Sequence, residues 1–277
     1  MAFLAVSVNA QIKTPAPSPK QTLTQDVGLT TVTVEYSRPS MKERTIFGQD
    51  GLVPYGKMWR TGANQATKIS FSTPVTVNGS TLSAGDYAVT TVPGANEWRM
   101  NFYTYDKSSW SAYRDANPVA SLTINPQSTK QTYETFTINF GNLRDNSARM
   151  DLAWANTKVS VKVEVAFDEE VMAAIERTLS GPTPNDYYQA ATYYHKSGKD
   201  LNQALVYIRK ATDVEKPKFW QVRREALILA DLGKRDEAIK AANQSMELAR
   251  AAGNDDYVRM NQKSISSWVT STKKPTR

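Results

Sequence analysis

Cysteine is absent from the 277 residues, which removes disulfides, thiolate metal centres, cysteine nucleophiles and a cysteine-linked lipid anchor together. Histidine occurs once, at His195. A Ser-His-Asp triad would have to recruit that single residue, and no Gly-x-Ser-x-Gly elbow stands ready to meet it. Zinc hydrolysis lacks ligands, and no phosphate loop or dinucleotide glycine pattern occurs. No apolar run reaches the roughly 18 residues of a membrane-spanning helix. Charge of one sign is not gathered either. Lys plus Arg outnumber Asp plus Glu by 34 to 27, a net of +7, spread as +2, +2 and +3 over residues 1–20, 21–167 and 168–277. That distribution gives no footprint for nucleic acid or an anionic membrane. The short basic run of Lys273, Lys274 and Arg277 reads as a solvated tail. These absences predict no cofactor and no metal, and they favour binding over catalysis. Carboxylate-pair chemistry stays open, because Asp86, Asp151 and other acids fall in one segment and a glycosidase needs two of them across a cleft.

At the N-terminus, Ala2 to Val8 is a short apolar run, and Val8-Asn9-Ala10 before Gln11 has the small-x-small form of a signal-peptidase site. Residues 1–10 therefore read as the remnant of a secretion signal, and 11–20, with Pro15, Pro17 and Pro19, as a proline-rich spacer.

Residues 21–167 are punctuated into strands. Val32, Val34 and Tyr36 alternate with Thr31, Thr33 and Glu35, the period of a half-buried strand. Ile69 and Phe71 repeat it, and Val75 and Val77 before Asn78-Gly79 predict a hairpin, since Asn-Gly accepts the positive φ angles of a primed turn. Asp86 to Val92 follows, then runs marked by Trp98, Met100 and Phe102, by Leu122 and Ile124, and by Phe136, Ile138 and Phe140. Met150, Leu152 and Trp154 precede Val159 through Phe167. Around ten short strands without helical period predict an antiparallel β-sandwich or flattened barrel.

The stretch Leu52 to Thr67 fits neither helix nor strand period. One reading is structural, with Trp59 in the core, Arg60 held by an acid such as Asp86, and Asn64, Gly56 and Gly62 in turns. The other is a pocket in which Arg38, Tyr55, Trp59, Arg60, Asn64, Asp86 and Tyr87 offer aromatic faces to a sugar or peptide and guanidinium forks to a carboxylate.

The run Tyr36-Ser37-Arg38-Pro39, Ile46-Phe47-Gly48, Leu52-Val53-Pro54-Tyr55-Gly56, Trp59-Arg60-Thr61-Gly62-Ala63-Asn64, Ala66-Thr67, Ala84-Gly85-Asp86-Tyr87 and Glu97-Trp98 resembles the bacterial domain of unknown function 2911. The resemblance covers roughly residues 21–167. It implies a mostly β domain in a protein of the Gram-negative envelope, periplasmic or secreted, with no established activity. Lys42-Glu43-Arg44 departs from it, a Lys-Gly-Arg turn being more usual there.

Beyond Val165 the period changes. Asp168-Glu169-Glu170 opens a connecting helix, placed at 168–181, with its carboxylates at the positive end of the helix dipole. Leu179-Ser180-Gly181-Pro182 stops it. In 182–277, Ala191, Gly198, Ala204 and Ala211 recur as Ala226, Gly233, Ala238 and Ser245. That spacing resembles the tetratricopeptide repeat, whose small residues let paired helices approach. His195 reads as a surface residue in a last helical turn, and Asp255 to about Val269, with Tyr257, Met260 and Trp268, as a capping helix. Two repeats and a cap are short for a free solenoid, so the array is expected to pack on the strand domain. The functional expectation is a secreted, non-enzymatic interaction protein whose helical repeats take a protein or peptide partner. The alternative is a carbohydrate-binding or carbohydrate-active domain using the loop around Trp59.

Overall fold

The computed structural model describes residues 14–178 and 182–270. The expected signal at 1–10, the start of the spacer, Leu179 to Gly181 of the helix stop and the basic tail lie outside the described residues. The chain divides between Phe167 and Asp168 into two compact units.

The first unit holds twelve strands among the described residues: β1 (Lys20–Val27), β2 (Thr30–Ser37), β3 (Phe47–Gly48), β4 (Val53–Pro54), β5 (Thr67–Phe71), β6 (Val75–Val77), β7 (Ser80–Leu82), β8 (Gly85–Val92), β9 (Trp98–Thr104), β10 (Ala120–Ile124), β11 (Gln127–Arg144) and β12 (Ser147–Val165). A six-stranded antiparallel sheet runs β1-β2-β5-β8-β9-β10, and a four-stranded one runs β11-β12-β6-β7. One hydrophobic core joins them. Val32, Val34, Ile69, Met100 and Phe102 from the larger sheet meet Phe136, Ile138, Leu152, Val161 and Val163 from the smaller. Each such burial contributes about 1.5–3 kcal/mol, so the unit has the core of an independent domain.

The alternation read at Val32, Val34 and Tyr36 is the buried face of β2. Asn78 and Gly79, at φ 44° and 85°, turn the chain between β6 and β7. The last two strands depart from the expected short segments. β11 and β12 are 18 and 19 residues long. The run ending at Trp154 and the run beginning at Val159 are one strand, with Met150, Leu152 and Trp154 buried at even positions and Val159, Val161 and Val163 at odd ones. Ala155, at φ 52°, breaks the alternation of β12 opposite Tyr133, where the ladder shifts register and β11 carries the unpaired residues. β1 is likewise additional. It is an edge strand paired only to β2, and its single fully buried side chain is Val27.

The second unit contains six α-helices among the described residues: α1 (Asp168–Thr178), α2 (Pro184–Lys196), α3 (Leu201–Thr212), α4 (Phe219–Asp231), α5 (Arg235–Ala251) and α6 (Asp255–Thr270). Asp168 opens α1 and accepts bonds from the Tyr193 hydroxyl and from Lys199 Nζ, the latter at 2.8 Å. Thr183 and Asp186 cap α2 reciprocally, with Pro184 at its first position. Consecutive helices pack from α2 through α6. The seams are small: Ala191, Ala204, Ala211, Ala226, Ala238 and Ser245 are all fully buried. Gly198 and Gly233 carry the left-handed turns after α2 and α4.

In α6 the buried position is Asn261, not Met260, which stays exposed. Asn261 lies 35 residues after Ala226, as Ala226 lies 35 after Ala191. Its amide donates to Ser245 Oγ at 2.9 Å and accepts from Arg223 Nη1 at 2.8 Å, while Ser245 Oγ donates to the Phe219 carbonyl at 2.7 Å. A polar side chain is tolerated there because each of its groups is satisfied.

Candidate functional site

The loop between β2 and β5 carries the long aperiodic stretch, and its centre is tied to β8. Trp59 N donates to Thr91 O at 2.7 Å, and Thr91 N returns a bond to Trp59 O at 2.9 Å. Thr61 is fully buried. Its hydroxyl bonds Thr91 Oγ1 at 3.1 Å, and its carbonyl accepts from Thr67 Oγ1 at 2.6 Å. The loop is therefore a fixed part of the β unit.

Trp59 is 8% exposed and sits in an aromatic cluster. It stacks on Trp154 with centroids 5.7 Å apart and 21° between planes, and meets Phe136 edge-on at 4.9 Å. Its Nε1 donates to Gly62 O at 3.0 Å. Of the two roles read for Trp59, core residue and pocket wall, this packing matches the first. Asn64 takes the expected turn conformation at φ 60°, and its amide donates to Ser18 O at 3.1 Å and Ser37 Oγ at 3.2 Å, fastening the proline-rich segment.

Arg60 is not held by Asp86. Its Nη1 donates to Asn64 O at 3.2 Å, and its guanidinium lies 5.2 Å from the Trp110 ring centroid. Asp86 is instead exposed and paired with Lys68 at 2.8 Å. That bond holds its carboxyl below the usual range. Arg38 is spent on β11, donating to Phe136 O at 3.0 Å and to Thr137 Oγ1 at 2.7 Å. Tyr87 is a core residue whose hydroxyl donates to Ser83 O. Tyr55 is half-buried.

Two of the seven expected residues, Trp59 and Arg60, line a cavity of about 300 Å³. The other five do not. Sequence reasoning missed its remaining chemistry: Lys42, Arg44 and Trp154 line it, with Pro39, Leu52 and Val53 among the apolar walls. Lys42 lies in a tight turn closed by Arg44 N donating to Met41 O at 3.1 Å, with Lys42 and Glu43 at φ 49° and 62°. Glu43 thus occupies a left-handed position that glycine takes without strain. The unusual Lys42-Glu43-Arg44 sequence was the available signal for this side of the cavity.

No carboxylate lines the cavity. Among the described residues, Lys42, Arg44 and Arg60 form no ion pair. Arg44 donates through Nε to Met41 O at 2.8 Å and through Nη2 to Ser40 O at 2.7 Å, which fixes its head while leaving further donors.

In the helical unit, His195 is more enclosed than expected, its side chain 11% exposed. Nε2 lies 2.7 Å from Asp231 Oδ2 and Nδ1 lies 3.1 Å from Arg224 Nη1, so it bridges α2 to α4. Arg224 can only donate, which assigns the proton to Nε2 and directs it to Asp231. Among the described residues no group of three His, Asp or Glu is placed to hold a metal ion, and no helix is long and apolar enough to cross a membrane.

An antiparallel β domain followed by a helical one is the class this architecture defines. The chain belongs to the family described as protein of unknown function (DUF2911), whose model matches residues 18–163. Comparison with curated proteins and with solved structures gives no match.

Proposed function

We propose that this is an exported, non-enzymatic interaction protein of the bacterial envelope, a β-sandwich body joined to a short tetratricopeptide-like module that takes a protein or peptide partner. The observation that carries the reading is the 35-residue recurrence of buried Ala191, Ala226 and Asn261 on α2, α4 and α6. Equivalent first helices then form one layer, bridged by His195 with Asp231 and by Arg223 with Asn261. Stacked helix pairs of this kind present an extended face to a partner.

Cross-linking the full chain in an envelope fraction tests the reading. Partner cross-links from Lys196 and Lys218 on the helical unit support it. Links confined to Lys57 and Lys107 of the β unit count against it, and recovery of the protein from the cytoplasm alone counts against export.

A second reading, carbohydrate binding around Trp59, is supported by the cavity there. Trp59 offers little open ring face, so recognition would rest on the cations more than on stacking.

A further inference from the structure

We propose that the cavity between the Met41–Arg44 turn and the Trp59–Gly62 loop binds a small organic molecule through an oxyanion, a carboxylate or a phosphate. The inference shares its place with the carbohydrate reading, narrows it to anionic ligands, and is independent of the helical-repeat reading.

Three observations converge on it. The first is charge. Lys42, Arg44 and Arg60 line one cavity without a carboxylate among its walls and without an ion pair among the described residues. Several other cations of this domain are instead spent on carboxylates. A larger cavity of about 420 Å³ also carries Arg144, Arg149 and Lys162, but Arg149 is bonded to Asp151 at 2.8 Å and Lys162 to Glu164 at 2.6 Å. Lys68 is paired with Asp86 at 2.8 Å. The Glu134 carboxylate accepts from Lys42 N at 3.0 Å and offsets part of this charge, but it does not line the cavity, and an oxyanion is the ligand that relieves the remaining repulsion among the three cations. Guanidinium forks match its geometry, with charge-assisted bonds roughly twice as strong as neutral ones.

The second is backbone conformation. Of the seven non-glycine residues at positive φ among the described residues, Lys42, Glu43 and Thr61 belong to the two segments that form this cavity. Left-handed backbone costs roughly 1–2 kcal/mol per non-glycine residue, and such strain gathers at ligand clamps where the surroundings hold it. Here the buried Thr61–Thr91 and Thr67–Thr61 bonds hold the loop that carries Arg60, and the bonds to Met41 O and Ser40 O hold Arg44, so two of the three cations are positioned before any ligand arrives.

The third is size and lining. A volume of about 300 Å³ is at the small end of the 300–1,000 Å³ range of small-molecule sites. Trp154, Leu52 and Val53 give an apolar wall beside the charges. That combination suits a molecule with a compact body and one anionic group better than a bare inorganic ion or a long chain.

The test is titration of the full-length protein, followed by tryptophan fluorescence and calorimetry, with glucuronate, glucose 6-phosphate, glucose and inorganic phosphate as probes. The first two share a ring and differ in the oxyanion, glucose has the ring without the charge, and phosphate has the charge without the ring. The proposal expects saturable binding of glucuronate or glucose 6-phosphate, at least tenfold tighter than glucose and weakened by salt. The Lys42 side chain makes no hydrogen bond among the described residues, so Lys42→Gln should lose threefold or more with an unchanged melting temperature. Arg60→Gln should lose tenfold or more.

A preference for glucuronate identifies a carboxylate ligand, and a preference for glucose 6-phosphate a phosphate one. Glucose binding as tightly as both overturns the proposal while leaving the carbohydrate reading standing. No saturable signal from either anionic probe by about 10 mM, a Kd corresponding to under about 3 kcal/mol, overturns it. So does full affinity in folded Lys42→Gln.

Discussion

The hydroxyl of Tyr36, on the larger sheet, accepts a hydrogen bond from the backbone N–H of Ile138, on the smaller, at 2.8 Å. It lies 3.3 Å from the Ile138 carbonyl and 2.8 Å from Gln21 Oε1. A buried phenol thus completes the ladder of one sheet from the face of the other, and burial raises its pKa. Tyr36→Phe keeps the ring and strands the Ile138 N–H. A buried donor without a partner costs about 1–3 kcal/mol, and urea unfolding of the variant should show that loss.

Gly62 stands where the loop passes closest to β2. It has φ 148°, and a Cβ would lie 2.9 Å from Ser37 O and 3.1 Å from Thr67 Oγ1. Gly62→Ala should therefore cost more than the ~1 kcal/mol by which alanine stabilises at compatible sites. Loss of the Trp59 Nε1 bond to Gly62 O should accompany it, read as a shift in tryptophan emission together with a lower melting temperature.

Glu43→Gly should move stability the other way or leave it unchanged. Relief of the left-handed penalty, about 1–2 kcal/mol, is set against the greater freedom of glycine in the unfolded chain, about 0.5–1 kcal/mol. Thermal unfolding should show a gain between zero and about 1.5 kcal/mol. A clear loss would mean that the Glu43 side chain contributes a contact of its own.

Acid should weaken the larger sheet through one surface network. Lys20 bonds Glu35 at 2.5 Å, and Lys68 reaches Glu35 at 3.8 Å and Asp86 at 2.8 Å. The bond from Lys20 lowers the Glu35 pKa, and the bond from Lys68 lowers that of Asp86. Groups depressed on folding stabilise above their unfolded pKa values, near 4 for carboxylates. They lose that contribution as pH falls through the lower folded values. Since the pairs are solvent-accessible, the whole effect should stay near or below about 1 kcal/mol. Denaturation midpoints at pH 6 and pH 3 should differ more in the native sequence than in Lys68→Met.

Much of this architecture is legible wherever apolar alternation and turn chemistry agree, as at β2, at β5 and around Asn78-Gly79. β1 escapes because an edge strand needs no alternating apolar face. The continuity of β12 escapes because its buried positions change parity at Ala155. In the helical unit, recurring small residues locate the seams. The burial of Asn261 depends on Arg223 and Ser245 from other helices, which spacing along one helix does not reveal. At the cavity, Trp59 and Arg60 stand out as residues that neither period explains. Lys42 and Arg44 stand in an unusual turn sequence that points only to local geometry, and Trp154 looks like an ordinary strand residue, until folding brings distant segments together. Arg38 and Asp86 carry the right chemistry for a pocket, but β11 and Lys68 already occupy them.

The left-handed kink at Ala155 makes chain length at that point a matter of which side of the domain is wet. Straightening that kink at unchanged length would turn Val159, Val161 and Val163 outward, with Ser160 and Lys162 inward. Removing one residue between Ala155 and Lys158 would do the same if the kink stayed, so length and kink can change only together. Homologous chains should accordingly tolerate changes of residue type there far better than changes of spacing.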